Sequence, residues 1–271
     1  MTTFDVVVRG GGDLATAVIH TLHRCGFSVL VLETEKPSAI RRHVAFSEAV
    51  YQKQHTVEGV TAVLVENIEQ AVQAKQNGTV PLMIDATCEI VSQIHPKVLV
   101  DAIIAKKNMG TNIHMADTVI GLGPGFTANK DVHVVIETQR GHNLGRILTE
   151  GCATPNTGVP GVIGGYGKER VIHAEVDGAL YHKADIGDLV QKGQVIAEIA
   201  GTPVLASIDG VLRGLIRDEY IVKKGLKIAD IDPRTEEQKN CDTISDKARC
   251  IAGSVLACIM MRGNVTWRKS E

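Results

Sequence analysis

The chain has 271 residues, of which 44% are hydrophobic and 22% charged, with a formal net charge of −2. That length allows one large domain or two ordinary ones, with ample material for a core. So small a net charge excludes a global attraction to nucleic acid or to anionic membranes, and 3% aromatic residues leave no stacking platform for single-stranded nucleic acid.

The first element is a strand signal over residues 4–8, whose β-branched run Val6-Val-Val8 leads through Arg9 into a glycine cluster and a helical pattern. Gly10, Gly12 and Ala15 stand at the G-x-G-x-x-(G/A) spacing of a dinucleotide-binding turn. In such a turn the first glycine permits the tight exit from the strand, and the second lets a phosphate approach bare backbone. The alanine allows the helix to pack closely on the sheet. Gly10, Gly11, Gly12, Asp13, Leu14 and Ala15 are therefore expected to form a phosphate turn, with helix amides holding the anion. Asp13 complements the helix dipole yet repels a phosphate placed there. The expected helix covers residues 13–25, with Leu14, Val18 and Leu22 along its apolar stripe. A second strand over residues 28–32 ends in Glu33, about 20 residues beyond the cluster, where an acid can hydrogen-bond a ribose hydroxyl.

Further strand signals fall at residues 60–65, 81–84, 118–122 and 133–136, and helical signals at 68–75 and 97–107. This alternation predicts a Rossmann-like, doubly wound parallel sheet over residues 1–150. Ligands bind such sheets outside the carboxyl ends of the strands. Chemically loaded segments cluster at those expected ends. Asp85 follows one strand, and Gly121-Leu-Gly-Pro-Gly125 follows another, where Gly123 and Gly125 either build an anion-binding nest or simply turn the chain. Arg41 and Arg42 leave the second strand and are either phosphate clamps or a solvated basic pair. Arg140 and His142 offer a cation and a titratable imidazole for an anionic group.

Residues 151–167 are rich in glycine and proline and mark a loop or boundary. Beyond it, residues 174–199 align without gaps on residues 206–231. Asp177-Gly178 recurs as Asp209-Gly210, and Lys192-Gly193 as Lys224-Gly225. Ala174, Leu180, Val190, Ile196, Ala197 and Ile199 also recur identically. Each copy reads as three short strands joined by an Asp-Gly and a Lys-Gly turn, so a β-sandwich module with an internal repeat is expected over 168–234. The pattern resembles the barrel-sandwich hybrid of biotinyl and lipoyl carriers, in which a lysine at the hairpin between the copies carries the cofactor. Here that junction, Ala200-Gly-Thr-Pro-Val-Leu-Ala206, has no lysine, so no covalent biotin or lipoate is expected. A helix over 242–261, with Asp242 or Ser245 near its start, and a tail fill residues 235–271.

Six cysteines occur without a C-x-x-C pair, so no metal-ligand spacing is present and free thiols in a reducing compartment are expected. Cys88 and Cys152 lie beside loops and are the better candidates for a functional thiol, although packing explains both. The longest apolar run, residues 251–261, is too short to span a bilayer, and the N-terminus lacks the build of a signal peptide. A cytoplasmic protein, with no membrane and no nucleic acid among its partners, is expected.

In whole segments the chain resembles the YqeB-type "selenium-dependent molybdenum hydroxylase system protein" family. The resemblance is carried by Val8-Arg-Gly-Gly-Gly-Asp-Leu-Ala15, Ala39-Ile-Arg-Arg-His-Val-Ala-Phe-Ser-Glu-Ala-Val50, Gly121-Leu-Gly-Pro-Gly-Phe126 and Val135-Ile-Glu-Thr-Gln-Arg-Gly-His142. It extends to Ile231-Asp-Pro-Arg234 and so covers nearly the full length. The resemblance implies accessory or maturation work for molybdenum hydroxylases that carry labile selenium, beside the XdhC-type proteins that handle molybdenum cofactor. It assigns no catalytic residues. The implied partners are a molybdenum hydroxylase or its maturation proteins and a nucleotide-bearing small molecule, either NAD(P) or a molybdopterin dinucleotide. An NAD(P)-dependent oxidoreductase is the rival reading, with only Asp85, Cys88 and His142 available for acid–base work. A non-catalytic scaffold that docks a hydroxylase is the third, and an oligomeric assembly stays open.

Overall fold

The apolar runs of the first half form the strands of one large sheet. The computed structural model describes residues 4–158 and 161–263. Val159 and Pro160 of the glycine- and proline-rich stretch, and the end of the tail expected over 235–271, lie outside the described residues. The chain divides into two units, one of Met1–Pro37, Ala45–Asn156 and Ile244–Glu271, the other of Ser38–Val44 and Thr157–Thr243.

In the first unit β1 (Val6–Arg9) leads through the glycine cluster into α1 (Asp13–Arg24) and back along β2 (Val29–Glu33). There follow α2 (Ala49–Gln52), β3 (Gln54–Val57), β4 (Val60–Val65), α3 (Ile68–Gln76), β5 (Val80–Ile84), α4 (Val91–Ile94) and β6 (Val98–Asp101). The unit continues through β7 (Thr118–Leu122), β8 (Val134–Ile136) and β9 (Ile147–Leu148). The sheet order is β3-β4-β5-β2-β1-β6-β7-β8-β9. The chain passes from β1 to β2, out to the edge pair β3 and β4, back to β5 between β4 and β2, and then to β6, β7 and β8 on the other side of β1. The strand order reverses between β1 and β6, and the carboxyl ends of strands at such a reversal are where ligands of open α/β sheets sit.

The α1 helix forms because Leu14, Ala15, Val18, Ile19 and Leu22 make one buried face, while Arg24 complements the dipole in its last turn. The α3 helix starts at Asn67, whose side chain accepts from the Gln70 amide at 2.9 Å. The last helix, α5 (Asp246–Arg262), is capped by Ser245, which accepts from the Ala248 amide at 3.2 Å, and it packs on α1.

The expected doubly wound, Rossmann-like parallel sheet is corrected. The sheet is mixed, because β3 runs antiparallel to β4 and β9 antiparallel to β8. The links from β6 to β7 and from β7 to β8 carry no α-helix. Residues 97–107, expected to be helical, instead hold β6 and an irregular loop. Val98, Leu99 and Val100 are each 0% exposed, and a run apolar on every side suits a parallel strand buried on both faces. Periodicity alone does not separate such a run from a buried helix.

The second unit holds two four-stranded antiparallel sheets. Its strands are β10 (Val171–His173), β11 (Gly178–His182), β12 (Leu189–Val190), β13 (Val195–Ile199), β14 (Thr202–Leu205), β15 (Gly210–Leu215), β16 (Ile221–Val222) and β17 (Lys227–Asp232). The orders are β10-β17-β15-β12 and β14-β13-β11-β16, so each copy of the repeat gives its short middle strand, β12 or β16, to the other copy's sheet. The Asp177 carboxylate accepts from the Lys224 amide at 2.8 Å, and Asp209 accepts from the Lys192 amide at 2.7 Å. Each copy's Asp-Gly turn thus fastens the other's Lys-Gly turn. The expected barrel-sandwich hybrid is corrected to these two sheets. Strands from outside the repeat, β10 and β14, form edges, and residues 38–44 join the unit through the Leu215 amide, which donates to the Ile40 carbonyl at 2.8 Å.

Candidate functional site

Where β1 ends, the glycine cluster is built by three different constraints. Gly10 has φ +96, and a Cβ there would lie 3.1 Å from the Ala102 carbonyl oxygen and 3.2 Å from the Ile103 Cα. Only glycine fits. A Cβ on Gly11 would lie 2.9 Å from the Ser47 amide nitrogen, which donates to the Gly11 carbonyl at 2.8 Å. Thr16 ties the same turn down, donating through its hydroxyl to the Gly11 carbonyl at 3.1 Å and accepting from the Phe46 amide at 2.8 Å. Gly12 differs: its φ is −66, and a Cβ there would meet nothing within 4 Å. Neither packing nor backbone conformation requires a glycine at 12.

The first turn of α1 has no side-chain cap. The amides of Gly12, Leu14 and Ala15 find no acceptor among the described residues, although Ala15 is fully buried. Buried amides without acceptors are uncommon, and at a helix N-terminus they are a ready set of donors for an anion.

Glu33, at the end of β2, accepts from the Gly11 amide and the Thr34 amide, each at 2.7 Å. Burial nevertheless pushes its carboxyl above the usual range. The carboxylate expected on a ribose therefore braces the turn itself.

Arg9, the last residue of β1, is 2% exposed. It pairs with Asp101 at 3.5 Å and donates to the Thr111 hydroxyl, to the Ala86 carbonyl at 2.9 Å and to the Met109 carbonyl at 3.4 Å. Thr111 in turn donates to Asp101 at 2.6 Å. Burial raises the Asp101 carboxyl despite these partners. One guanidinium thus anchors the loops after β5 and β6. Sequence reasoning assigned Arg9 no role, although a charge directly at the end of a β-branched run is itself a signal, since a buried arginine must be paired.

The remaining expected residues take varied places. Asp85 accepts from the amides of Glu89 and Ile90 at 3.1 and 2.9 Å and shapes its own loop. Gly123 and Gly125 have φ +76 and +113 and are pressed against Thr138 and the Lys107 backbone, so tight packing accounts for both glycines. Arg140 forms a two-pronged pair with Asp246 at 3.0 and 3.2 Å. His142 is exposed. Arg41 and Arg42 belong to the second unit, where they donate to the carbonyls of Thr243 and Leu215 at 3.2 and 2.8 Å. Cys88 is buried at φ +67, and burial pushes its thiol up to about 12, which leaves almost no thiolate at neutral pH. Cys152 is exposed beside the Thr127 hydroxyl.

Near the turn lies a residue the sequence did not flag. Lys247, in the first turn of α5, is half-buried and makes no hydrogen bond or ion pair among the described residues. Burial, and next the charge of Arg140, lower its ammonium below the ordinary lysine range. Glu137 is also near. Burial opposes its ionisation, but bonds from the Gln139 amide and from the Thr154 amide and hydroxyl outweigh it and hold the carboxyl low. No group of three or more His, Cys, Asp or Glu side chains is placed to hold a metal among the described residues, and no described helix is long and apolar enough to cross a membrane.

Fold and turn together define an α/β protein whose bare helix N-terminus lies at the reversal point of a mixed sheet. No family model matches the chain. It is similar to the uncharacterized protein YqeB of Escherichia coli (strain K12), with 48% identity over 256 residues, which is 94% of this chain and 47% of that protein. The chain thus spans about half the length of the curated relative it matches. Among solved structures, the ectoine utilization protein EutE (DoeB) of Ruegeria pomeroyi is 10% identical with a TM-score of 0.26, covering 84% of this chain and 86% of that one. An aspartoacylase family protein of Mesorhizobium loti is 10% identical with a TM-score of 0.25, covering 76% and 57%. Likenesses at that level carry no argument about fold or activity.

Proposed function

We propose that the chain acts as an accessory or maturation protein for selenium-dependent molybdenum hydroxylases, holding a nucleotide-bearing ligand by its phosphates at the glycine turn. The observation that carries the ligand reading is the set of amides of Gly12, Leu14 and Ala15 without acceptors beneath a glycine that nothing in the fold requires. Donors without acceptors need an electron-rich partner, and a phosphate oxygen supplies it. The pathway rests on the segments that resemble the YqeB-type family, together with the similarity to YqeB over most of the chain.

Both NAD(P) and a molybdopterin dinucleotide present the required pyrophosphate. The oxidoreductase reading is the weaker one, because Cys88 is held as a neutral thiol and Asp85 is engaged by loop amides. The test is mass spectrometry of small molecules released when the purified protein is denatured. A pterin dinucleotide supports the maturation reading, NAD(P) transfers the case to a redox or structural nucleotide, and a phosphate-free ligand overturns the turn as a phosphate site.

A further inference from the structure

We propose that Lys247 supplies the counter-charge of the glycine turn, its ammonium facing a phosphate or diphosphate group seated on the amides of Gly12, Leu14 and Ala15. This rests on the reading of the turn as a ligand site.

The helix dipole and burial both disfavour the charge of Lys247. A cation in the first turn of α5 opposes the helix dipole, which favours carboxylates there. Being half-buried, its ammonium gives up part of its hydration without gaining an ion pair. The nearby charges do not settle the debt. Arg140 repels it, Asp246 is held by both prongs of Arg140, and Glu137 is occupied by the amides of Gln139 and Thr154. Asp13, at the start of α1, attracts it electrostatically without forming an ion pair with it.

The unpaired groups around the turn share one chemical character. The three amides are donors, the Lys247 ammonium is a donor with three protons, and the Ser47 hydroxyl, 1% exposed beside Gly11, has no partner. A compact ligand group that satisfies several donors and one full positive charge must be anionic and rich in oxygen. A phosphate or diphosphate meets that description better than a carboxylate, which has two oxygens and one charge. Asp13 lies at the same helix start and sets the cost of the arrangement, since a dianion beside it needs a compensating cation. Lys247 supplies that cation.

Pyrophosphate binding to the full chain, measured by titration calorimetry near neutral pH, tests the assignment with Lys247→Met, Lys247→Arg and Gly12→Val. We expect the parent to bind, Gly12→Val to lose binding, Lys247→Met to bind about tenfold or more weakly, and Lys247→Arg to stay within about threefold of the parent. Lys247→Met is also expected to melt no lower than the parent, because it removes an unpaired, half-buried charge; a purely structural lysine would lower the melting temperature instead. If Lys247→Met binds as tightly as the parent while Gly12→Val does not bind, the lysine is overturned and the turn stands. If Gly12→Val binds as the parent does, or the parent does not bind, the turn itself is overturned. Should Lys247→Met fail to fold, Lys247→Gln provides the same comparison.

Discussion

Arg9 and Asp101 face each other in register at the carboxyl ends of the adjacent parallel strands β1 and β6, both almost wholly buried, with Thr111 bridging them. Removing one partner strands the other's charge in the core. Arg9→Met is expected to cost about 3–5 kcal/mol in urea unfolding. The double variant Arg9→Met with Asp101→Leu should recover much of that loss. Equal losses for the single and double variants would show that the guanidinium's bonds to Ala86 and Met109 matter more than the pair.

The glycine cluster predicts a contrast between neighbours. Gly10→Ala places a Cβ at φ +96 within 3.1 Å of the Ala102 carbonyl oxygen and should destabilise by about 1–3 kcal/mol. At Gly12 the fold leaves open space, so Gly12→Val should change the unfolding midpoint little yet abolish phosphate binding. A large loss of stability for Gly12→Val would mean that the glycine serves the fold.

How much of this was legible in the sequence varies with the physics involved. The turn, α1 and β2 could be read because their signals are local: glycine spacing, a helical stripe and a β-branched run. The strand β6 could not, since Val98-Leu-Val100 is apolar all round and has no period to read. The antiparallel edges β3 and β9 were invisible for a related reason. Gln54, His55 and Thr56 are not apolar, and β9 is two residues long. Of the candidate site, the strand–glycine–helix turn was legible and the nearness of Lys247 to Asp13 was not, because it depends on α5 packing against α1 across more than two hundred residues of chain.

The two copies of the repeat offer matched positions in unequal surroundings. Gly178 and Gly210 have φ +150 and +151, so alanine is strained at both. A Cβ at 210 would lie only 2.2 Å from the Asp232 carbonyl oxygen, whereas at 178 the nearest atom is the Ala200 Cβ at 3.0 Å. Gly210→Ala should cost about 3 kcal/mol or more and Gly178→Ala about 1–2 kcal/mol in thermal unfolding. Equal losses would show that backbone strain, which the two share, outweighs the contact at Asp232.

Glu33 gives the stability of the fold a pH signature. Burial raises its carboxyl above the unfolded value, so the folded chain holds a proton that the unfolded chain has released. The contribution is fully present below the unfolded carboxyl range and is lost as pH rises through the raised folded value. Urea midpoints collected from acid to neutral pH should therefore fall less steeply in Glu33→Gln than in the parent. Identical slopes would place the proton uptake on Asp101, whose carboxyl burial also raises.

Lys247 moves stability and binding in opposite directions. Burial, then Arg140, lowers its ammonium, against the pull of Asp13, Glu137 and Asp246. As pH climbs through that lowered value, the folded chain gives up a proton that the unfolded chain still holds, so stability rises. Pyrophosphate affinity falls over the same interval, because the neutral amine carries no counter-charge. Arginine remains protonated throughout, so Lys247→Arg should bind with an affinity that is flat across the interval. A parent affinity that is equally flat, measured from neutral pH to the ordinary lysine range, would mean that the ammonium does not meet the phosphate.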